Sequence, residues 1–306
     1  MNPRAIGTLR VSAVGLGCNN FGKKLDAAGT ARVVHAALDA GITFFDTADS
    51  YGNTQSEVFL GRALANRRNE AVIATKFGSK LDEQRHGASP AYVRQAVEDS
   101  LRRLGTAHID LYQLHWPDST VPIADTLGAL DDLVKAGKVR EIGCSNFSAA
   151  QLREAEHGAK PGAATFASLQ NEYSLLHRDP EAEILPLCRE LGIAFIPYFP
   201  LASGMLTGKY RKGEPPPAGS RIAEGRHADL FNERHLDIVE RLIAFAEARG
   251  HTMLELAFSW LLRKPAVVSV IAGATTPEQV RANAVAAVWK LSDEEAAEVD
   301  RITMHA

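Results

Sequence analysis

Asp46, Tyr51, Lys76 and His115 have the side chains best suited to moving a proton in this sequence. A free phenol titrates near ~10 and stays protonated at neutral pH. A neighbouring ammonium stabilises the phenolate and lowers that pKa, while a carboxylate keeps the ammonium charged and in place. Asp46, Lys76 and Tyr51 would therefore form a tuned proton donor. His115 could orient a carbonyl oxygen or share the proton transfer.

Protonation of a carbonyl oxygen is useful only when something attacks the carbon atom. Because no side chain here is an obvious nucleophile, the four residues imply a bound hydride donor. Taken singly, each residue has an ordinary structural role, such as packing, capping or solvated charge. Asp49, in the same loop as Tyr51, is given no catalytic role, and we expect it to serve turn chemistry.

Strand and helix patterns alternate along the whole chain. A hairpin around Gly7-Thr8 comes first, and helical periodicity recurs between short apolar runs. The predicted strands are residues 14–16, 43–46, 71–76, 109–115, 139–145, 167–170, 193–198 and 267–272. The predicted helices are residues 27–40, 56–65, 90–104, 123–136, 181–191 and 293–302, with another beginning near residue 149. Such alternation favours a parallel sheet with right-handed crossovers, and eight strands are the number that closes a (β/α)8 barrel.

An open doubly wound sheet is the competing architecture. It would need a Gly-x-Gly-x-x-Gly turn that opens a helix, whereas Gly15-x-Gly17 leads into Asn-Asn-Phe. No linker divides the chain, and residues 208–227 are its only long irregular stretch. We expect that stretch to be a surface loop that folds over a ligand. The fold prediction is a single α/β domain over residues 1–306, a TIM barrel with an N-terminal β-hairpin and a C-terminal helix.

Composition narrows the functional classes. The 306 residues carry a net charge of −3, with 45% hydrophobic and 23% charged residues, so nucleic acid is not an expected partner. The three cysteines form no Cys-x-x-Cys pair, which argues against a disulfide framework or a thiolate zinc site, and no metal is predicted. No signal peptide and no apolar run of ~18 residues is evident. We expect a cytoplasmic protein that does not enter the membrane.

The barrel prediction gives the four ionisable residues a common place. Catalytic side chains of such barrels lie at the carboxyl ends of strands. Asp46, Lys76 and His115 end three consecutive predicted strands, and Tyr51 lies in the loop after the first of these. Their shared position favours a catalytic function over four separate structural roles.

Four segments resemble the aldo-keto reductase superfamily. They are Asp46-Thr-Ala-Asp-Ser-Tyr51-Gly, Ala-Thr-Lys76-Phe-Gly, Gln-Leu-His115-Trp-Pro-Asp and Gly143-Cys-Ser145-Asn146-Phe, and the resemblance extends from Gly15 to Asn283. It implies reduction of aldehydes or ketones to alcohols by direct hydride transfer from NADPH. Tyr51 would be the general acid, tuned by Lys76 and Asp46, and His115 would complete the tetrad.

The resemblance also implies a cofactor site along the strand ends. The implied residues are Ser145, Asn146 and Gln170 for the carboxamide, Tyr198 for the nicotinamide ring, Leu201, Gly204 and Lys209 for the pyrophosphate side, Arg221 reaching the cofactor from the long loop, and Gly273, Thr275, Gln279 and Asn283 for the adenosine phosphate end. Independently, Thr276 and Gln279 are spaced as a capping box with Pro277 at the first helical position. A helix start of this kind offers backbone N–H groups to a phosphate.

Two departures from the family pattern concern specificity. Lys and Arg are absent at Gly273, Thr275, Thr276 and Gln279, where relatives often place a cation against the 2′-phosphate, so NADPH is the first choice and NADH the alternative. No long C-terminal substrate loop is evident, which predicts an open pocket with loose specificity. Phe21, Trp116 and Phe147 are the predicted pocket wall.

Two other functions stay open at this level. One is a Schiff-base aldolase or isomerase with Lys76 as nucleophile, in which the cofactor residues would have no role. The other is a redox-sensing module similar to the potassium-channel β subunits, which would bind cofactor tightly and turn over slowly. The sequence does not determine the substrate, the reaction direction or the oligomeric state.

Overall fold

The computed structural model describes residues 4–304. In this part of the chain the strands are β1 (Arg4–Ile6), β2 (Leu9–Val11), β3 (Val14–Gly17), β4 (Phe44–Asp46), β5 (Val72–Phe77), β6 (Ile109–Leu114), β7 (Val139–Ser145), β8 (Phe166–Glu172), β9 (Ala194–Tyr198) and β10 (Val270–Gly273). Strands β3 to β10 form one parallel sheet in the order β10-β3-β4-β5-β6-β7-β8-β9. This topology confirms the predicted parallel sheet of eight strands.

A single bridge joins the two ends of the sheet. Phe195 in β9 pairs in parallel with Val267, which precedes β10. The Phe195 N–H donates to the carbonyl of Ala266 at 2.8 Å, and the Val268 N–H donates to the carbonyl of Phe195 at 3.0 Å. The predicted (β/α)8 barrel is thereby confirmed. The last strand was predicted over 267–272, but its first residues belong to this bridge and the regular strand spans Val270–Gly273.

The helices pack around the outside of the barrel. Those of the described chain are α1 (Ala27–Asp39), α2 (Gln55–Leu64), α3 (Pro90–Leu104), α4 (Ile123–Lys135), α5 (Ala149–Gly158), α6 (Ile184–Leu191), α7 (Glu233–Glu247), α8 (Met253–Leu262), α9 (Pro277–Val285) and α10 (Asp293–Met304). Ser89 caps α3 by accepting from the N–H of Tyr92, with Pro90 at the first position, as predicted.

One predicted helix begins later than expected, and two helices were not predicted. The helix predicted over 181–191 begins at Ile184, because a separate 3-10 turn occupies Asp179–Glu181. Helices α7 and α8 were not predicted. Their start signals are nevertheless present in the sequence, since Asn232 caps α7 and Thr252 with Glu255 forms a capping box at α8. Helix α8 is buried on nearly all sides, so it lacks the amphipathic pattern that marks a surface helix.

The N-terminal hairpin covers the amino-terminal end of the barrel. Its two strands pair antiparallel across Gly7 and Thr8, as predicted. Thr8 donates from both its N–H and its hydroxyl to Oε1 of Glu141 in β7, at 2.7 and 2.6 Å. The side chains of Ile6, Leu9 and Val11 join one apolar cluster with inward-facing strand residues: Phe44, Ala74, Leu111, Ala194, Ile196 and Ile271.

Side-chain alternation along the strands then positions the polar residues. Phe44 and Ala74 face the barrel interior, so Asp46 and Lys76, each two residues further on, face the same way one layer higher. The alternate residues of these strands, such as Phe45 and Ile73, face the helices in the larger core cluster. The interior is therefore apolar at the hairpin end and charged at the opposite end. No helix between residues 4 and 304 has the length and apolar composition needed to cross a bilayer.

Candidate active site

One cavity of about 620 Å³ opens at the carboxyl end of the barrel strands. Fifteen of the sixteen predicted site residues line it: Asp46, Tyr51, His115, Ser145, Asn146, Gln170, Tyr198, Leu201, Gly204, Lys209, Arg221, Gly273, Thr275, Gln279 and Asn283. The remaining one, Lys76, is fully buried and lies behind Asp46 and Tyr51, in hydrogen-bond contact with both. The structure thus brings all sixteen residues to one place.

Lys76 has three oxygen partners. Its Nζ donates to Oδ2 of Asp46 at 2.7 Å, to the carbonyl of Thr47 at 2.9 Å and to the Tyr51 hydroxyl at 3.4 Å. Burial by itself lowers the pKa of Lys76, but Asp46 and Tyr51 together outweigh it, so that the pKa lies above its ordinary value. The ammonium is therefore held in its charged form against the phenol.

The phenol itself departs from the sequence-based expectation. The pKa of Tyr51 is raised rather than lowered, because burial of the hydroxyl opposes ionisation more strongly than Lys76 favours it. Asp46 adds to the rise, since its carboxylate repels a phenolate. In this environment the Tyr51 hydroxyl stays protonated, and the adjacent Lys76 ammonium would lower the free-energy cost of a phenolate.

The loop that carries Tyr51 is anchored to the neighbouring strand. The N–H groups of Thr47 and Asp49 donate to the carbonyls of Ala74 and Lys76 in β5, at 2.8 and 3.0 Å. After Tyr51 the chain turns at Gly52, where φ is +58° and a Cβ would lie 2.3 Å from the carbonyl oxygen of Phe21. Only glycine is compatible with this approach, which explains the Tyr-Gly pair.

His115 follows β6 directly, rather than ending it as predicted. Its N–H still donates to the carbonyl of Phe77 at 2.9 Å, and its ring meets the Tyr51 ring edge-on at 5.9 Å. Burial, with a smaller contribution from Lys76, lowers the pKa of His115 to about 3. The imidazole is therefore neutral at physiological pH. A neutral ring can orient a carbonyl oxygen through an N–H group without adding positive charge.

The residues predicted to hold a carboxamide are bonded to one another. The Ser145 hydroxyl donates to the carbonyl of Gln170 at 2.7 Å, and Nε2 of Gln170 donates to Oδ1 of Asp46 at 2.8 Å. Nδ2 of Asn146 donates to the carbonyl of His115 at 2.9 Å, while its Oδ1 accepts from the Tyr198 hydroxyl at 2.8 Å. These amide and hydroxyl groups are thus held in fixed orientations, with Gln170 directly on the Asp46 carboxylate.

Cations gather at the other end of the cavity. Burial lowers the pKa of Lys209, and repulsion from Arg221 and Lys24 lowers it further. The pKa of Arg221 is likewise lowered, first by burial and then by Arg226. Lys24 forms an ion pair with Glu224 at 3.0 Å. Positive charges that are partly desolvated and repel one another favour an anionic ligand.

Residues 208–227 contribute to this cationic end. They contain no regular helix or strand, as predicted, and they supply Lys209, Gly219, Ser220 and Arg221 to the cavity lining. The Lys24–Glu224 pair connects them to the loop after β3. Lys24, Asn19 and Asn20 of that loop also line the cavity and were not predicted, although they follow residues 14–17, a strand that ends at the barrel mouth.

The start of α9 is capped differently from the prediction. Thr276 accepts from the N–H of Gln279 at 3.3 Å, but Oε1 of Gln279 accepts from the N–H and hydroxyl of Thr275 rather than from the N–H of Thr276. Half of the capping box is therefore present. A Cβ on Gly273 would lie 3.6 Å from Nη2 of Arg221, which brings that guanidinium to the end of β10.

Two of the three predicted wall residues lie outside the cavity lining, and Asp49 in the turn is buried. Trp116 lines the cavity and is 52% exposed, whereas Phe21 and Phe147 are buried in the core and do not line it. Asp49 is buried, and its carboxyl oxygens make no well-formed hydrogen bond, although the N–H of Ser50 faces them. Burial, followed by repulsion from Glu57, raises the pKa of Asp49 to about 7. Asp49 does lie in the turn before Tyr51, as expected, but its side chain is buried there.

Comparisons with known proteins agree with this arrangement. A model of the aldo/keto reductase family matches residues 13–303. A curated relative from Glycine max, described as probable aldo-keto reductase 1, is 37% identical over 309 residues, and the match covers 98% of this chain and 88% of the relative.

Two solved structures match the fold of this chain over nearly its whole length. A glycerol dehydrogenase from Gluconobacter oxydans is similar with a TM-score of 0.87 and 33% identity, covering 99% of this chain and 95% of that one. The holo form of an aldo-keto reductase from Bacillus halodurans is similar with a TM-score of 0.84 and 32% identity, covering 100% and 97%. This chain therefore belongs to the aldo/keto reductase family and is an oxidoreductase that acts on carbonyl or alcohol groups.

Proposed function

We propose that this protein reduces aldehydes or ketones to alcohols with NADPH, using Tyr51 as the proton donor. The observation that carries the proposal is the contact of Lys76 with both Asp46 and Tyr51 beneath the cavity floor. A buried ammonium that is ion-paired on one side and touches a phenol on the other has no evident purpose in packing alone. It is suited to stabilising a phenolate during proton transfer.

The cavity residues fit a nicotinamide dinucleotide phosphate. Ser145, Asn146 and Gln170 offer hydroxyl and amide groups beside the catalytic residues, and Tyr198 offers an aromatic ring. Lys209 and Arg221, whose pKa values are lowered by burial, are suited to phosphate oxygens at the far end. When bound, the reduced cofactor supplies the hydride for the carbonyl carbon.

The protein residues then handle the proton. The Tyr51 hydroxyl donates its proton to the carbonyl oxygen as that oxygen gains negative charge, and the product is an alcohol. Lys76 stabilises the resulting phenolate, and Asp46 keeps Lys76 charged and oriented. The neutral His115 ring holds the carbonyl oxygen against Tyr51.

NADPH is the preferred cofactor in this proposal and NADH the alternative. Lys24, Lys209 and Arg221 supply positive charge within the cavity. Positions Gly273, Thr275, Thr276 and Gln279 supply none, so discrimination through the 2′-phosphate depends on residues that reach across from other loops. Arg221, close to Gly273, is the main candidate.

The small-molecule substrate is proposed from the pocket and from relatives. Trp116 is half exposed at the mouth, which leaves the catalytic end open to compounds of different shape. One similar structure is a glycerol dehydrogenase, so small polyols and the hydroxy-aldehydes or hydroxy-ketones related to them are the first compounds to test. Aromatic aldehydes and α-dicarbonyls complete the panel.

The decisive experiment measures NADPH and NADH consumption against this panel for the wild type and Tyr51→Phe. We expect the variant to lose about 10²–10⁴-fold in kcat/KM while its Kd for NADPH stays unchanged. Tyr112→Phe is a matched control, because that hydroxyl is buried in the core without a hydrogen-bond partner among the described residues. Full activity of Tyr51→Phe would show that the proton-donor assignment is wrong.

The two other functions make different predictions in the same assay. A Schiff-base enzyme needs a neutral amine, whereas the pKa of Lys76 is raised and its Nζ is engaged by three oxygens. Borohydride trapping of a carbonyl compound on Lys76 would favour that function. A redox-sensing module would bind NADPH tightly, turn over slowly and retain NADP⁺ in a stable hetero-complex.

A further inference from the structure

Ser79 contacts His115, whose neutral ring can carry its proton on either nitrogen. Its Oγ lies 2.9 Å from Nδ1 of His115. Either atom could be the donor in this contact, because a neutral imidazole carries its single proton on Nδ1 or on Nε2. Which nitrogen carries the proton determines what the other side of the ring can offer to a substrate.

The chain is shaped to bring Ser79 to this position. Strand β5 ends at Phe77, and Gly78 follows with φ of +100°. A Cβ on Gly78 would lie 2.9 Å from Cδ1 of Leu114, the residue before His115, so a side chain at this turn would displace that leucine side chain as well as adopt an unfavourable φ. The carbonyl of Gly78 also accepts from the N–H of Gly87 at 3.0 Å, which fixes the turn.

The backbone of His115 is fixed from both sides. Its N–H donates to the carbonyl of Phe77 in β5, and its carbonyl accepts from Nδ2 of Asn146 after β7, each at 2.9 Å. The ring is further confined by Tyr51 at its edge and by Trp116 stacked against it at 6.1 Å. With the backbone and ring position set, the remaining freedom of His115 is the choice of tautomer.

The partners available to the ring decide that choice. A serine hydroxyl can donate a proton to Nδ1, whereas a carbonyl oxygen of a substrate can only accept one. One proton on the ring satisfies both partners only when it lies on Nε2 and Ser79 donates to Nδ1. The opposite tautomer would direct a lone pair at the substrate oxygen and repel it.

We propose that Ser79 is a positioning residue that fixes His115 as the Nε2–H tautomer and so provides the N–H group that orients the substrate carbonyl. This inference rests on the proposed reductase function for its catalytic consequence. Its structural content, the tautomer of His115, is independent of any substrate. Ser79 acts through His115 and has no contact of its own with the reacting atoms in this scheme.

The experiment combines nitrogen NMR of the ring with kinetics. The full chain, labelled with ¹⁵N-histidine and saturated with NADP⁺, is observed at neutral pH as wild type, Ser79→Ala and Ser79→Thr. The signal of His115 among the 10 histidines is identified by its loss in His115→Gln. Long-range proton–nitrogen couplings then report which ring nitrogen is protonated. Kinetics of the same proteins with NADPH give kcat and KM separately.

We expect the wild type to be the Nε2–H tautomer and Ser79→Ala to populate the Nδ1–H form. In Ser79→Ala, kcat/KM should fall about 10-fold or more, with the Kd of NADPH unchanged, by analogy with other residues that orient a functional histidine. Ser79→Thr retains the hydroxyl and should restore both readouts. Ser119→Ala removes an exposed hydroxyl from the loop after β6 and serves as the matched control.

Two outcomes would overturn the inference. One is a wild-type His115 protonated on Nδ1, and the other is a Ser79→Ala protein that keeps the Nε2–H tautomer, whatever its activity. Failure of the proposed function would look different, because the wild type would then consume no NADPH with any carbonyl compound while the NMR result still reported on Ser79. A fall in activity without a change of tautomer would reduce Ser79 to a packing role.

Discussion

The ammonium of Lys76 lies 2.7 Å from Oδ2 of Asp46, and both side chains are almost completely buried. Charges removed from water in this way are stabilised mainly by each other, and removal of one partner leaves the other without compensation. The pair therefore has two consequences that experiments can separate: in the proposed function it tunes the proton donor, and it makes the fold depend on both charges being present.

The first prediction concerns this pair. Asp46→Asn should lower the free energy of unfolding by about 3–5 kcal/mol, because the Lys76 ammonium would remain buried without its carboxylate. Denaturant unfolding of the purified variant measures this loss. Asp132→Asn is the matched control, since Asp132 pairs with Arg94 at 2.9 Å on the surface, where about 1 kcal/mol or less is expected. Equal losses in the two variants would contradict the burial argument.

The second prediction concerns the pH dependence of reduction. His115 has a pKa of about 3, so acidification from pH ~7 to ~5 does not protonate it, and Tyr51, with its raised pKa, stays protonated throughout that interval. We therefore expect kcat/KM for carbonyl reduction at saturating NADPH to be constant over this interval. The measurement is a pH–rate profile for the wild type. An inflection near pH 6–7 that disappears in His115→Gln would contradict the assignment of a neutral, buried ring.

The third prediction concerns Asp49. Its pKa is about 7 in the folded chain, above the ordinary aspartate value of about 3.9, so the folded state binds the extra proton between these values. The contribution of Asp49 to the free energy of unfolding is consequently largest at low pH and falls as the pH rises towards the folded pKa. Asp49→Asn removes this dependence. Relative to the wild type, the variant should gain roughly 2–3 kcal/mol between pH ~5 and ~8.

Thermal or denaturant unfolding at several pH values measures this difference. Asp229→Asn, at an exposed site, provides the control and should follow the wild type at every pH. The groups that face Asp49 are Glu57 on α2, Arg103 and Tyr92 on α3, Lys76 on β5 and Tyr112 on β6. A variant that loses stability equally at all pH values would show that Asp49 is ionised in the native state.

The sequence was sufficient to predict the barrel and to bring the site residues together. Short apolar strands alternate with helices, and the rule that catalytic groups lie at strand ends placed Asp46, Lys76 and His115 at one mouth. These inferences depend on local pattern and chain order alone. Motif resemblance added the cofactor residues, all of which line the same cavity.

What the sequence did not predict depends on packing between distant segments. The raised pKa of Tyr51 follows from burial, and the burial of Asp49 follows from the closeness of α2 and α3 to its loop. The contact of Ser79 with His115 needs the turn at Gly78. None of these relations has a signature in spacing or composition, because each joins side chains from different strands or helices.

The last prediction concerns the choice between NADPH and NADH. Arg221 reaches the end of β10, close to Gly273, where the adenosine phosphate end of the proposed cofactor would lie. If it binds the 2′-phosphate, Arg221→Ala should raise the Kd of NADPH at least 10-fold, as expected for a lost charge-assisted hydrogen bond, with little change in the Kd of NADH. Fluorescence titration with each cofactor gives both constants.

The two controls for Arg221 separate position from charge. Arg226→Ala removes a cation from an exposed site in the same loop and should leave both constants unchanged. Thr276→Arg adds a cation at the N-cap of α9, where the chain has none, and should strengthen NADPH binding relative to NADH. A parallel weakening of both cofactors in Arg221→Ala would instead assign Arg221 to the pyrophosphate, because that group is common to the two molecules and carries no information about the 2′ position.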